Sequence, residues 1–253
     1  MPAAACRWQQ GAAYATARPD LRTSLSIDGS RARRLLALCC VAWLIGSAAQ
    51  AQVSGSVSVV SDYRFRGVSL SDGDPAVQGA LVFDHASGLY LGAFASTVRL
   101  AADRRTGLQS VGQVGYAMRA GEFAWDLGAS YSGFTEPGDL GYADFYVGAA
   151  STDWSVRLSY APRYFGQPYS ALYAEINLTP RSEHVLVPLL HLGLLSTHPP
   201  PYDSSRTRWD GRVGLAYNPE SLTVQLSWGT ASRSGSPAGP SKSAWVLRLT
   251  AWM

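Results

Sequence analysis

A chain of 253 residues with 47% hydrophobic but only 15% charged side chains, 25 Gly, 8 Trp and 13 Tyr is long enough for one or two domains. Soluble domains average about 25% charged residues, so this composition argues against a typical cytosolic enzyme and for an all-β or membrane protein. The net charge of +3 is local, since six of the 21 basic residues precede residue 35; from Gln52 onward 15 basic face 16 acidic residues, which excludes a basic nucleic-acid-binding surface.

Residues 1–30 fit no targeting pattern and read as an N-terminal extension from a start codon assigned too far upstream. Residues 31–51 read as a secretory signal peptide: Arg31, Arg33 and Arg34 form a basic region, Leu35 to Ile45 are apolar, and Ala49-Gln50-Ala51 is an A-x-A site. The apolar run is too short to span a bilayer as a helix, and cleavage is expected after Ala51. All three cysteines, Cys6, Cys39 and Cys40, precede that site. An exported chain without them has no disulfide, no thiolate nucleophile and no cysteine metal ligand.

Residues 52–253 carry neither helical periodicity nor a run of 18 apolar residues. What recurs is alternation of apolar with small or polar residues, bounded by Gly, Pro, Asp, Asn and Ser. Twelve runs follow: 53–66, 76–84, 88–98, 109–119, 122–132, 142–149, 153–161, 170–178, 183–195, 207–217, 221–229 and 244–253. In "EFAWDLGASYS", Phe123, Trp125, Leu127, Ala129 and Tyr131 share one face, and Ala124, Asp126, Gly128 and Ser130 the other. The run over 183–195 alternates poorly and contains Pro188, so ten strands are the alternative to twelve.

The connections alternate strictly in length. "HASG", "RAGE", "AASTD", "LTPRSE" and "NPES" are short, while "GVSLSDGDP", "RLAADRRTGLQ", "SGFTEPGDLGY", "APRYFGQPYS", "STHPPPYDSSRTR" and "TASRSGSPAGPSKS" are long. A bacterial outer-membrane barrel has an even number of strands, short periplasmic turns and longer external loops. The expectation is therefore an all-β, transmembrane, up-and-down antiparallel barrel with both termini in the periplasm. Aromatic residues of the apolar face gather near strand ends (Tyr63, Phe65, Phe83, Phe123, Trp125, Tyr131, Trp154, Tyr160, Trp209, Tyr217, Trp228 and Trp245), as at the two membrane–water boundaries.

Basic charges facing lipid at the midplane would cost about 2–4 kcal/mol each. The charged face is therefore assigned inward, with Asp62, Arg64, Arg66, Asp84, Asp126, Asp144, Arg157, Glu175, Asp210, Arg212 and Arg248 as candidate lumen-lining residues. In this reading Asp62 to Arg66 form the external end of the first strand, with Tyr63 and Phe65 at the lipid interface. Barrels of about eight strands are filled by side chains, and those of 16–18 leave a channel. Twelve lies between, so a narrow pore and a lumen plugged by paired charges are both open.

The four histidines, His85, His184, His191 and His198, build no catalytic or metal motif; His184 and His191 are seven apart, on opposite faces of one strand. No catalytic, cofactor or metal site is expected, and the chain reads as a transport protein rather than an enzyme. A lipid hydrolase would need a Ser hydroxyl beside a histidine near the external rim.

The segment "SDYRFRGVSLSDGDPAVQG" resembles the opening of the TorF family, a proteobacterial group of secreted β-rich proteins regarded as porins. The match runs through Ser61, Asp62, Tyr63, Phe65, Arg66, Gly67, Ser69, Ser71, Pro75, Gln78 and Gly79. The resemblance implies a Gram-negative outer-membrane barrel of porin type and supplies no substrate and no catalytic residue; with the lumen read above, the expected function is passive diffusion of small solutes through a narrow polar lumen. The alternative is a closed barrel with a structural or lipid-modifying role. The expected partners are outer-membrane lipid, small-molecule solutes and, through the amphipathic C-terminal strand ending in Trp252 and Met253, the barrel-assembly machinery.

Overall fold

The structure is a computed structural model that describes residues 52–100, 105–136, 138–180, 185–200, 206–232 and 243–253. The expected extension, signal peptide and cleavage site lie outside these residues, as does His184. Strands are numbered in chain order: β1 Gln52–Val60, β2 Arg64–Phe65, β3 Val68–Ser69, β4 Ala76–Asp84, β5 Leu89–Val98, β6 Gly107–Ala120 and β7 Phe123–Phe134. They continue as β8 Tyr142–Ala150, β9 Trp154–Ala161, β10 Ser170–Leu178, β11 Leu186–His198, β12 Thr207–Tyr217, β13 Leu222–Ala231 and β14 Ala244–Trp252.

β1 and β4 to β14 form one closed antiparallel barrel of twelve strands, each paired with its sequence neighbour in the wall, with β1 joining β14 to close the ring. β2 and β3 form a separate two-stranded hairpin. Closure leaves no strand edge unpaired. The seam is extended beyond the strands by reciprocal backbone bonds between Gly55 and Met253, at 3.2 and 2.9 Å. Gln52 and Met253 lie at one end of the barrel, with the strand ends that the short connections join (the terminus end); the strand ends that the long connections join lie at the other (the loop end).

Period-2 alternation sets the wall. On β7, Trp125, Leu127 and Tyr131 are exposed while Asp126 and Ser132 are buried. The outer surface is a continuous apolar band that includes Val114, Leu158, Leu192 and Leu247. Its exposed aromatics divide between the two ends: Phe83, Phe123, Trp125 and Tyr217 toward the termini, Tyr131, Tyr160, Trp209 and Trp245 toward the loops. β11 runs through Pro188, which pairs with Leu215 near the terminus end. Its alternation reads poorly because Val187 and Leu189 are apolar yet buried, so both faces of the strand are apolar there.

The first strand departs from expectation. It ends at Val60, not near residue 66, and the chain turns into the barrel. Tyr63 is buried against Phe94, with ring centroids 6.1 Å apart, and Phe65 packs on Phe165 at 6.4 Å. Neither ring reaches the lipid-facing side. The cause is local hydrogen bonding: the Asp62 carboxylate accepts from Arg64 Nε (2.6 Å) and Ser69 Oγ (2.5 Å), and the Tyr63 amide donates to Ser71 Oγ (2.9 Å). Arg66 and Gly67 both take positive φ, 48° and 77°, as a tight two-residue hairpin turn requires. A Cβ on Gly67 would lie 2.6 Å from the Asp210 Cβ and 2.7 Å from that of Ala231, so only glycine lets the turn reach the β12–β13 wall.

Inside the loop end, Val60, Leu70, Val98, Phe134, Tyr142 and Tyr164 belong to one buried apolar cluster around this hairpin. The interior is therefore apolar toward the loops and polar in its middle, with a second, smaller apolar patch at Val82, Val187 and Leu189 toward the termini.

Candidate functional site

Backbone register lays the polar interior out in rows, because directly paired residues share a face. One row runs Asp126–Gly148–Arg157–Glu175–Gly193–Asp210 across β7 to β12. Arg157 reaches past Gly148 to Asp126, with Nη2 to Oδ2 at 2.7 Å, and its guanidinium stacks 4.2 Å from the Tyr146 ring centroid. The next row places Asn177, His191 and Arg212 side by side. His191 contacts Asn177 Oδ1 through Nδ1 (2.8 Å) and Asp210 Oδ1 through Nε2 (3.0 Å); Glu175 Oε2 lies 3.7 Å from Nδ1, and the Tyr173 hydroxyl donates to Asp210 Oδ2 at 3.2 Å.

The hairpin completes the site. Arg66 crosses to β8 and donates to Asp144 Oδ2 at 3.0 Å, stacked between Phe65 and Tyr173 with both ring centroids 4.8 Å from its Cζ. Burial opposes its charge, but the Asp144 carboxylate favours it, and the guanidinium pKa is raised above that of free arginine. Burial likewise pushes the Tyr63 phenol up, only partly offset by Arg248; its hydroxyl donates to Gln109 Oε1 at 2.9 Å.

Between hairpin and wall lies a cavity of about 150 Å³. Of the eleven residues assigned inward from sequence, Arg64, Arg66, Asp144, Arg157, Glu175, Asp210, Arg212 and Arg248 line it. Asp62 is buried behind the hairpin, held to Arg64, and Asp126 is covered by Arg157. Asp84 is buried at the terminus end, where it pairs with Gln52, and does not line the cavity. The sequence reading missed Tyr63, Phe65, Tyr173, Asn177 and His191 as parts of this site. The signal for the first two was Gly67, a residue suited to the positive φ of a tight turn, set between short β-prone residues.

Among the described residues, a serine hydroxyl meets a histidine ring between His85 Nδ1 and Ser87 Oγ, at 2.8 Å. This contact is confined to the turn joining β4 and β5 at the terminus end, away from the rim where a hydrolase would need it.

Barrel closure, an apolar outside and a polar inside define the class: a membrane-type antiparallel β-barrel of twelve strands. The chain belongs to the family described as "Bacterial protein of unknown function (Gcw_chp)", whose model matches residues 45–228. None of the curated proteins matches it. A solved structure described as "Unveiling the Mechanism Behind the in-meso Crystallization of Membrane Proteins" shares the fold, with a TM-score of 0.51 at 10% identity, covering 79% of this chain and 83% of that one. Two further similar structures are the KdgM porin (TM-score 0.48, 13% identity, 79% and 97% coverage) and the NanC porin (TM-score 0.49, 13% identity, 79% and 98% coverage).

Proposed function

We propose that this protein is an outer-membrane channel for small polar solutes, narrowed by its own inward-folded hairpin. Membrane placement is supported by the apolar outer band and its two aromatic girdles, since water would not favour so much exposed Leu, Val and Trp. The TorF reading of residues 61–79 accords with this: Asp62, Ser69, Ser71, Arg66 and Gly67, all in that motif, are the residues that fold and tether the hairpin. In the outer membrane the terminus end would face the periplasm and the loop end the exterior.

One observation carries the reading. The cavity is lined by ionised side chains from both hairpin and wall, so the interior is polar at the level where the hairpin narrows it. A barrel serving only as a rigid body gains nothing from keeping so many charges there, because apolar residues of similar volume would fill it at no loss of stability. The second reading, a closed structural barrel, draws on the apolar packing around the hairpin at the loop end. Planar-bilayer recording of refolded protein separates the two. Discrete conductance steps are expected; folded, heat-modifiable protein that gives no steps would establish the closed barrel.

A further inference from the structure

Five arginines line the cavity, and three of them are neutralised: Arg64 by Asp62, Arg66 by Asp144 and Arg157 by Asp126. Arg212 and Arg248 have no ion-pair partner among the described residues, and the Nη1 of Arg248 is buried without a hydrogen bond. Asp144 holds Arg66, while Asp210 and Glu175 stand in the row beside Arg212 and offset part of its charge through space. Arg248 has no carboxylate beside it. A guanidinium nitrogen buried without a hydrogen bond is costly, and Arg248 lines this space with one.

That space suits a ligand. Arg212 lies opposite Gly229 on β13, where an added Cβ would meet only the Gly211 carbonyl, 3.7 Å away, so the wall beside the guanidinium is open. Arg248 is flanked in register by Gln225 and by Val60, neither of which carries charge. A volume of about 150 Å³ holds on the order of ten waters, enough for a small organic acid with its remaining hydration. A guanidinium fork binds a carboxylate through two parallel hydrogen bonds, and this planar fit favours it over a spherical halide.

We propose that Arg212 and Arg248 form an anion site that binds the carboxylate of a small organic acid inside the barrel. The site deepens the channel reading by giving the solute a charge, and rests on that reading only for passage, not for binding. The test is thermal unfolding of refolded full-length protein in detergent, followed by gel migration, in equimolar sodium acetate and sodium chloride. Acetate offers the fork a planar carboxylate, and chloride, a sphere of the same charge, serves as the ionic control. The wild type is expected to unfold at a higher temperature in acetate, and R212Q/R248Q, checked as folded by its heat-modifiable migration, is expected to lose that difference. No acetate effect on the wild type, or an effect that persists in the double variant, would each overturn the site. In bilayers under a potassium chloride gradient, wild-type channels should favour chloride and the double variant should not. Absence of conductance would sink the channel and leave the binding result standing; conductance without an acetate effect would sink only the anion site.

Discussion

The hydroxyls of Tyr90 and Tyr146 meet at 2.6 Å although the two residues stand three strands apart in the wall. The register row Tyr90–Gly115–Gly128–Tyr146 explains the contact. Each ring lies over the neighbouring glycine, so that a Cβ on Gly128 would fall 2.5 Å from the Tyr146 hydroxyl, and one on Gly115 would strike the Tyr90 ring. Tyr90 also donates to Asp126 Oδ1 at 2.7 Å, which ties the tyrosine bridge to the Arg157 pair.

Gly115→Ala should therefore destabilise the folded barrel by about 1–3 kcal/mol through overpacking. In a Tyr90→Leu background the cost of the same substitution should fall to a few tenths of a kcal/mol. Urea unfolding in detergent, arranged as a double-mutant cycle, reads the coupling. Additive effects would mean that the ring and the glycine do not meet.

Asp126 and Arg157 are both nearly inaccessible, with side-chain exposures of 4% and 9%. Asp126→Asn or Arg157→Met alone breaks this buried pair and should cost about 3–5 kcal/mol. The double substitution should cost much less than the sum of the two. The same unfolding assay checks this, with gel heat-modifiability as a second readout.

Much of the wall was legible in the sequence, because a one-residue slip would carry every Leu and Trp of a strand to the wrong face. β7, β9 and β13 therefore follow their alternating runs closely. β11 was harder, since Val187 and Leu189 face an interior that is locally apolar, and this removes the contrast on which alternation depends. The stretch from Asp62 to Arg66 alternates as a strand does, yet its fate is decided by contacts to Ser69, Ser71 and Asp144. The last of these is 78 residues from its partner, a separation that periodicity does not carry. The charges of the site could be read as inward-facing, but their pairing depends on barrel closure and register.

Leu127 lies on the outer face of β7, 54% exposed and paired with Tyr116 and Val147, well inside the apolar band. If that band contacts lipid hydrocarbon, Leu127→Arg should cost about 2–4 kcal/mol, and Tyr131→Arg, nearer the loop-end girdle, about 0–1 kcal/mol. Folding measured in phospholipid vesicles should show this gradient. In detergent-free aqueous buffer a soluble barrel would tolerate both equally, and equal effects in vesicles would refute the membrane placement.

The hairpin is held across the barrel by Arg66, whose guanidinium reaches Asp144 while its backbone carbonyl accepts from Arg208 Nη2 at 3.4 Å. Arg66 itself sits at positive φ, a conformation that costs a non-glycine residue about 1–2 kcal/mol and persists only while tertiary contacts hold it. Arg66→Gly removes the ion pair and the aromatic stacking yet suits the turn, so the hairpin should form but no longer be pinned to β8. Arg66→Gln keeps the strained turn and loses the pair. Both variants should widen the passage beside β8, giving larger and noisier single-channel conductance than wild type, with Arg66→Gln the noisier because its turn is also strained. Asp144→Asn should reproduce the conductance of Arg66→Gln, since it cuts the same tether from the other side. Deleting residues 62–74 should give the largest and quietest conductance of the series. Unchanged conductance across all four would show that the hairpin does not set the width of the path.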